Sequence, residues 1–322
     1  MLSGCFRKQA FRRATQENNS VPRLTTIIPH QTTDEALEAT ILSVLENRPS
    51  DCEIIVVHHG NYADPYQLGD ELLLVQEQTT NPVALLNAGL MVARAPVVCV
   101  LAPGVKVSGM NWADQACQRL SPSTSLASMA VPIHHSDSNR SLLGISQAAV
   151  SDSTILQSGR IDQRRPGLVA GPQLSGGFYR RRALLAVGGW NEAVCWENAD
   201  TELALLMHQL SLPCELLEST QLESTLPMAR SHSGPCVKQL AELAVGYGLC
   251  SSGATAAMSD LLRGCLGGNI SASVAWATGV LAARASQSIQ KRLEAAQQRI
   301  DQWPQSHIQT ERHSAASIRR AA

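Results

Sequence analysis

The residues best suited to chemistry are histidines that follow apolar runs and acids that open a helical segment. Histidine can ligate a metal or donate a proton to a phosphate oxygen. The histidines in question are His30, His58, His59, His134 and His135. Gathered at one end of a sheet, they would form a metal site, an anion site or an ordinary polar loop surface. The acids are Glu197 and Asp200.

Apolar runs alternate with segments of helical periodicity over most of the first 214 residues. The runs typical of β-strands are 24–28, 53–57, 72–75, 97–101 and 126–131. The first helix between them has a capping box at Thr32 and Glu35. This alternation predicts an α/β fold, with a mostly parallel sheet flanked by helices. Ligands bind at the carboxyl ends of such strands, where the histidines at 30, 58 and 59 fall.

The remainder of the chain predicts a helical extension. Residues 138–167 are rich in Ser, Gln and Arg, which predicts a loop region or short strands, with a surface loop favoured over a mobile segment above a site. The stretch 269–283 is strongly apolar but shorter than the roughly 20 residues of a membrane span. We therefore predict a buried helix and no transmembrane span, with peripheral membrane contact as the alternative. The predicted organisation is a basic flexible tail (1–22), a main domain (23–234), a helical extension (235–304) and a flexible tail (305–322).

Composition excludes several classes of protein. Of the 322 residues, 44% are hydrophobic and 16% charged, which excludes a mainly disordered chain. The net charge of -1 and the aromatic content of 4% argue against a nucleic-acid partner. Nine cysteines without a CxxC motif indicate a reducing compartment. The basic first residues are not followed by the apolar segment of a secretory signal peptide. We expect a cytoplasmic protein.

Three segments carry a family resemblance. Residues 25–60 contain a strand, Pro29, a capped helix and a second strand, and residues 81–104 contain an Asn-x-Gly step at Asn87 before a further strand. Residues 174–210 contain a Ser-Gly strand, a Gly-Gly-Trp turn and an acidic helix. Together, and with a weaker match at His232, they resemble glycosyltransferase family 2, whose members have the GT-A fold.

The resemblance implies transfer of a sugar from a nucleotide-sugar donor to an acceptor. In that family an Asp-x-Asp pair holds a divalent metal at the diphosphate, acids bind the nucleoside, and a carboxylate acts as base. The matching donor-binding positions are Pro29, His30, His58, His59, Asp64, Asn87, Ala102 and Gly104. The matching acceptor-binding positions are Gly176, Gly177, Trp190 and Asn198, and the catalytic candidates are Glu197 and Asp200.

This sequence departs from the family pattern at each chemical position. His58 and His59 replace acids, and Ala102 and Gly104 replace the metal-binding pair. Asn198 replaces the usual base. We expect no cofactor, and the missing acids argue against manganese or magnesium. The expected function is sugar transfer by a route other than the usual metal-assisted one. The alternative is a catalytically inactive relative that binds a glycan, a nucleotide or a protein.

Two further features have two interpretations each, and a third gives one expectation about the ligand. Gly176 and Gly177 either form a strand-end turn with positive φ or let the backbone approach a substrate. The run Arg180–Arg182 is either a solvated face or a phosphate clamp. His58 and His59 can donate hydrogen bonds at positions where the family's acids accept them. We therefore expect a ligand that is more anionic than a nucleoside.

Overall fold

The computed structural model describes residues 21–302, except 61, 63, 122–123, 136–137, 143–144, 151–152, 159–168, 226–233, 248–269 and 284–286. His232 and both predicted tails, apart from residues 21 and 22, lie outside this part of the chain.

The described chain alternates strands and helices before ending in helices. The strands are β1 (Leu24–Pro29), β2 (Cys52–His58), β3 (Leu73–Gln76), β4 (Val97–Leu101), β5 (Val105–Val107), β6 (Ser128–Ala130), β7 (Ile133–His135), β8 (Ser138–Leu142), β9 (Ile145–Val150), β10 (Ser153–Ser158), β11 (Val169–Gly171), β12 (Gly176–Arg180), β13 (Cys214–Leu216) and β14 (Leu222–Ser224). The helices are α1 (Asp34–Glu46), α2 (Pro82–Val92), α3 (Asp114–Arg119), α4 (Arg181–Val187), α5 (Trp196–Gln209), α6 (Gly234–Gly246), α7 (Ile270–Ala283) and α8 (Gln287–Asp301).

A seven-stranded sheet forms the centre of the fold. Its order is β13-β6-β12-β4-β1-β2-β3, and every neighbouring pair is parallel except those that β12 makes with β4 and β6. The predicted α/β fold with a mostly parallel sheet is confirmed. β1 is buried along its whole length, as expected for a strand covered on both faces.

Alternate residues of each central strand enter two different cores. Ile27 and Ile55 pack with α2 and α5, whereas Ile28 and Ile54 pack with α1 and α3. The sheet is therefore covered by helices on both faces, because successive strand side chains point to opposite sides. The helix α1 begins one residue later than the capping box predicts, and Thr33 rather than Thr32 caps it by accepting a hydrogen bond from Ala36 N.

Two smaller sheets lie outside the central one. One has the order β5-β14-β7-β8 and the other β10-β9-β11. The described residues of 138–171 thus form strands, whereas the sequence favoured a surface loop. Antiparallel backbone pairing explains this, because it satisfies N–H and C=O groups whatever the polarity of the side chains.

The apolar helix α7 packs against α6. A Cβ placed on Gly279 would lie 2.2 Å from the Lys238 carbonyl oxygen, so the two backbones are in close contact. Ala241 and Val280 are buried between them. Among the described residues, no helix has the length and apolar character needed to cross a membrane.

A buried carboxylate links three helices of the second half of the chain. Glu202 on α5 is 0% exposed and accepts hydrogen bonds from Arg292 Nε at 2.9 Å and from Tyr247 Oη at 2.6 Å. Arg292 also donates to the Gly189 carbonyl at 2.7 Å. Through these contacts α8 and the residue after α6 are attached to α5 and to the turn before it.

We predict that Arg292→Ala destabilises the protein by about 3 kcal/mol, because it leaves the Glu202 carboxylate buried without its cation. Chemical denaturation measures the loss. Lys291→Ala is the matched control, since Lys291 is exposed on the same helix, and it should change stability by less than about 0.5 kcal/mol. Equal losses in the two variants would show that the ion pair does not hold α8 in place.

Candidate functional site

The candidate site lies at one edge of the central sheet. His30 follows β1, His58 ends β2 and Ala102 follows β4, and these strands are parallel neighbours. Gly176 at the start of β12 pairs with Leu101 at the end of β4. The sheet register therefore brings predicted donor-binding and acceptor-binding positions to the same edge.

Aromatic rings group around Tyr62 at this edge. The ring centroid of His30 lies 6.0 Å from that of His59 and 5.9 Å from that of Tyr62, and His58 lies 6.2 Å from Tyr62. We call His30, His58, His59 and Tyr62 the histidine cluster. Tyr62 was not predicted as a site residue, because no motif marks it beyond its place just after the second strand. His134 and His135 instead belong to β7 in a smaller sheet.

Within the part of the chain that the structure describes, four buried polar atoms in and beside the histidine cluster find no hydrogen-bond partner. They are His30 Nδ1, Gln31 Nε2, His59 Nδ1 and Tyr62 Oη. His30 and Tyr62 are each 7% exposed. Unpaired buried polar atoms are costly and rare in folded proteins, so a group of four indicates the place of a polar ligand or of ordered water.

Hydrogen bonds determine which ring nitrogens of the histidine cluster act as donors. Gly60 N donates to His58 Nδ1 at 3.2 Å, so in the neutral ring of His58 the proton is on Nε2. Burial lowers the pKa of His58, and the neighbouring charges of His30 and His59 lower it further. His30 Nε2 is 2.9 Å from the Asp34 carboxylate.

Acidic groups also approach the cluster. Burial raises the pKa of Tyr62 to about 12, with further contributions from Glu38, Asp64 and Asp34. Asp64 Oδ1 accepts a hydrogen bond from Leu68 N at 3.0 Å, so this carboxylate already has a backbone partner. Tyr62 therefore keeps its proton at neutral pH and can donate it to a ligand in a hydrogen bond.

The positions that match the family's metal ligands do not fit a metal. Ala102 and Gly104 carry no ligand atom in their side chains. Gly104 N donates to Ala36 O at 2.9 Å and to Thr40 Oγ1 at 2.8 Å, and its carbonyl accepts from Thr225 N at 2.9 Å. The backbone groups of Gly104 are therefore engaged in hydrogen bonds within the fold and not directed at a metal ion.

The acids at the start of α5 differ in their surroundings. Asp200 is buried and accepts hydrogen bonds from Leu174 N at 3.3 Å and from Thr201 Oγ1 at 3.2 Å. Asn198 donates to the Cys236 carbonyl at 2.8 Å, which ties α5 to α6. Glu197 is half-buried in the first turn of α5. Of the two catalytic candidates, Glu197 is the more accessible to a substrate.

Two further predicted residues bond to each other. Asn87 Nδ2 donates to the Trp190 carbonyl and Asn87 Oδ1 accepts from Trp190 N, both at 2.9 Å. Trp190 is fully buried against Tyr179, with ring centroids 5.5 Å apart. This pair fixes the turn before α5, and the predicted contacts of both residues with substrate remain predictions.

Packing rather than a turn explains the paired glycines. Gly176 N closes a turn on the Gln173 carbonyl at 3.2 Å, but neither glycine has a positive φ, so the turn does not require glycine here. A Cβ on Gly176 would lie 2.4 Å from Leu222 Cδ1, and one on Gly177 would lie 2.3 Å from Pro172 Cβ.

The position of Arg180 argues against a phosphate clamp at this residue, while the same interpretation of Arg181 and Arg182 stays a prediction. Arg180 pairs with Val97 at the start of β4, which is the edge of the sheet opposite Ala102. Its side chain donates to Thr124 Oγ1 at 2.7 Å and to the Ser121 carbonyl at 3.1 Å.

A group of thiols beside Glu197 was not predicted from sequence. Cys195 Sγ lies 3.4 Å from Cys236 Sγ, which is 3.8 Å from Glu197 Oε2. Burial raises the pKa of Cys195 to about 12, with Cys236 and then Glu197 contributing. The two cysteines are 41 residues apart, so no local motif reveals the contact.

Comparisons with known proteins show the fold and leave the family open. No family model matches the chain, and no curated protein matches it. The structure of GalNAc-T7 with UDP, GalNAc and Mn2+ is similar, with a TM-score of 0.51 and 11% identity over 71% of this chain. The chain spans 48% of that protein's length. The mannosyltransferase PcManGT from Pyrobaculum calidifontis has a TM-score of 0.48 and 13% identity, with 90% of each chain covered. The fold is that of the GT-A glycosyltransferases.

We predict that acid destabilises the protein partly through His58. Because its pKa is lowered in the folded state, the folded protein binds fewer protons than the unfolded chain once the pH falls below about 6.5. The stabilising contribution is complete above that pH and is lost as the pH falls. His58→Asn removes the titration and keeps an acceptor for Gly60 N, so its Tm should fall less between pH 7.5 and pH 5.5.

The control for this measurement is His208→Asn, which changes an exposed histidine at the end of α5. Its loss of Tm over the same pH range should equal that of the wild type. A loss in His58→Asn as large as in the wild type would contradict the proposed role of His58.

Proposed function

We propose that this protein binds a nucleoside diphosphate sugar at the histidine cluster and transfers the sugar to an acceptor without a metal at positions 102 and 104. The observation that carries the proposal is the group of four buried polar atoms at the carboxyl edge of the sheet that find no partner among the described residues. In open α/β sheets, ligands bind at this edge. The GT-A fold supports a nucleotide-sugar as the ligand.

The histidine cluster offers donors where a leaving diphosphate needs them. His58 carries its proton on Nε2, and the Tyr62 hydroxyl stays protonated. Hydrogen bonds from these groups and from His59 would stabilise the negative charge that develops on the diphosphate as it leaves. Hydrogen-bond donors of the protein thus stabilise the leaving diphosphate, as a divalent cation does in the family pattern.

Glu197 is the proposed base. The acceptor hydroxyl attacks the anomeric carbon of the sugar, its proton passes to the Glu197 carboxylate, and the bond from the anomeric carbon to the phosphate oxygen breaks. The electron pair of that bond leaves with the diphosphate. Glu197 suits this role better than Asp200, because the Asp200 carboxylate is buried and holds Leu174 N and Thr201.

We predict that UDP or GDP binds equally well in EDTA and in manganese, as measured by calorimetry. The double variant His58→Ala/His59→Ala should weaken binding at least tenfold, because it removes two donors to the ligand. The matched control is His208→Ala, which removes an exposed histidine and should leave the affinity unchanged.

Two results would contradict this binding mode. Binding that requires manganese would mean that the chain holds a metal at the diphosphate after all. Uridine binding as tightly as UDP would mean that the cluster recognises the nucleoside and not the anion. If no nucleotide binds, the chain is a scaffold for another ligand, and the proposed function is wrong.

We predict that Glu197→Gln lowers the rate of transfer by about 10²–10⁴-fold and leaves donor affinity within twofold, because it removes a base and keeps the shape of the side chain. Release of UDP or GDP from a panel of nucleotide-sugars, with water as the acceptor, gives the rate. Glu218→Gln changes an exposed acid and serves as the control. An unchanged rate in Glu197→Gln would exclude Glu197 as the base.

A further inference from the structure

Two thiols and a carboxylate meet where α5 and α6 come together. Cys195 directly precedes α5, Glu197 is in the first turn of α5, and Cys236 is in the first turn of α6. Their ligand atoms all lie within 4.8 Å of one another, and all three residues are half-buried. An ion could therefore reach the group from solvent while being largely surrounded by protein.

The distances in this group resemble those of a tetrahedral zinc site. With Zn–S bonds of about 2.3 Å and a Zn–O bond of about 2.0 Å, two sulfur ligands lie about 3.8 Å apart and a sulfur and an oxygen about 3.5 Å apart. The corresponding distances here are 3.4 Å between the sulfurs and 3.8 Å between Cys236 Sγ and Glu197 Oε2. Shifts of a few tenths of an ångström would bring these two distances to the tetrahedral values, and the third, between Cys195 Sγ and the Glu197 carboxylate, is within 4.8 Å.

Hydrogen bonds around the group already fix the backbones that carry the ligands. Cys195 N donates to Gln239 Oε1 at 2.9 Å, and Gln239 Nε2 donates to the Ala193 carbonyl at 3.1 Å. Asn198 Nδ2 donates to the Cys236 carbonyl at 2.8 Å. Such outer contacts orient metal ligands and strengthen binding, because less freedom is lost when the ion enters.

We propose that Cys195, Cys236 and Glu197 form a zinc-binding site. Two thiolates favour a borderline-soft ion such as Zn²⁺ over magnesium or manganese, which prefer oxygen ligands. Binding releases the protons of both thiols, and the three protein ligands leave a fourth position for water. This site differs from the family's Asp-x-Asp position in its residues, its ligand chemistry and its place in the fold.

Zinc binding by these three residues does not require the proposed transfer reaction. If Glu197 is the base, zinc inhibits transfer, because the ion coordinates the carboxylate that would accept the proton. Loss of zinc binding and loss of transfer are measured separately, so the failure of one proposal does not imply the failure of the other.

The test uses the full chain, reduced and freed of metal, titrated with Co²⁺ and then with Zn²⁺. We expect one equivalent of Co²⁺ to produce a thiolate-to-cobalt charge-transfer absorption that Zn²⁺ abolishes by displacement. Cys195→Ser and Cys236→Ser should each weaken binding at least tenfold and reduce this absorption. Glu197→Gln should weaken binding about tenfold and retain the absorption, because both sulfurs remain.

Cys214→Ser is the matched control, because it changes a half-buried cysteine that is not part of the group, and its affinity should equal that of the wild type. Circular dichroism of each variant shows whether it is folded, and Glu197→Gln tests the site even if a serine variant unfolds. The proposal is overturned if reduced wild type shows no thiolate absorption, or if the folded ligand variants bind as tightly as wild type. One further result would overturn the zinc proposal. If the reduced chain takes up no metal and Cys195 and Cys236 form a disulfide on oxidation, the two thiols are a redox pair.

Discussion

The buried carboxylate of Glu202 organises the second half of the molecule. A charge with no exposure to solvent is tolerated only with close partners, and Arg292 and Tyr247 supply them from two other helical elements. Because Arg292 also bonds to Gly189, the turn before α5 is fixed by the same contact. The helix α5 carries Glu197, so the place of the proposed base depends on an ion pair more than one helical turn away from it.

The central sheet imposes the second constraint. Parallel pairing of β1 with β2 and with β4 brings the residues after these strands to one edge, whatever their chemistry. In this chain the edge carries histidines and a tyrosine, together with Ala102 and Gly104 where a metal would need carboxylates. The sheet geometry is that of a GT-A protein, while the side chains at its edge favour hydrogen-bond donation over metal binding.

The sequence predicted the architecture better than it predicted the contacts. The β-branched residues at 24–28 predicted a strand, and the uniformly apolar run at 53–57 predicted a strand covered on both faces. The positions of His30, His58 and His59 at strand ends followed from the same pattern. Tyr62 and the contact between Cys195 and Cys236 could not be predicted, because tertiary packing brings them into place without a local motif. The sequence did not decide whether Arg180 lies on a solvated face or binds phosphate. The antiparallel direction of β12 places it at the edge of the sheet opposite Ala102.

The central claim is that the sheet edge holds a diphosphate by protein donors and not through a metal at positions 102 and 104. A crystal structure of the protein with UDP or GDP, grown in EDTA, tests this most directly. The account predicts diphosphate oxygens within hydrogen-bond distance of His58, His59 or Tyr62, with no ion beside Ala102. A diphosphate bound elsewhere, or one that appears only when manganese is added and is bridged by it to the protein, would contradict the account.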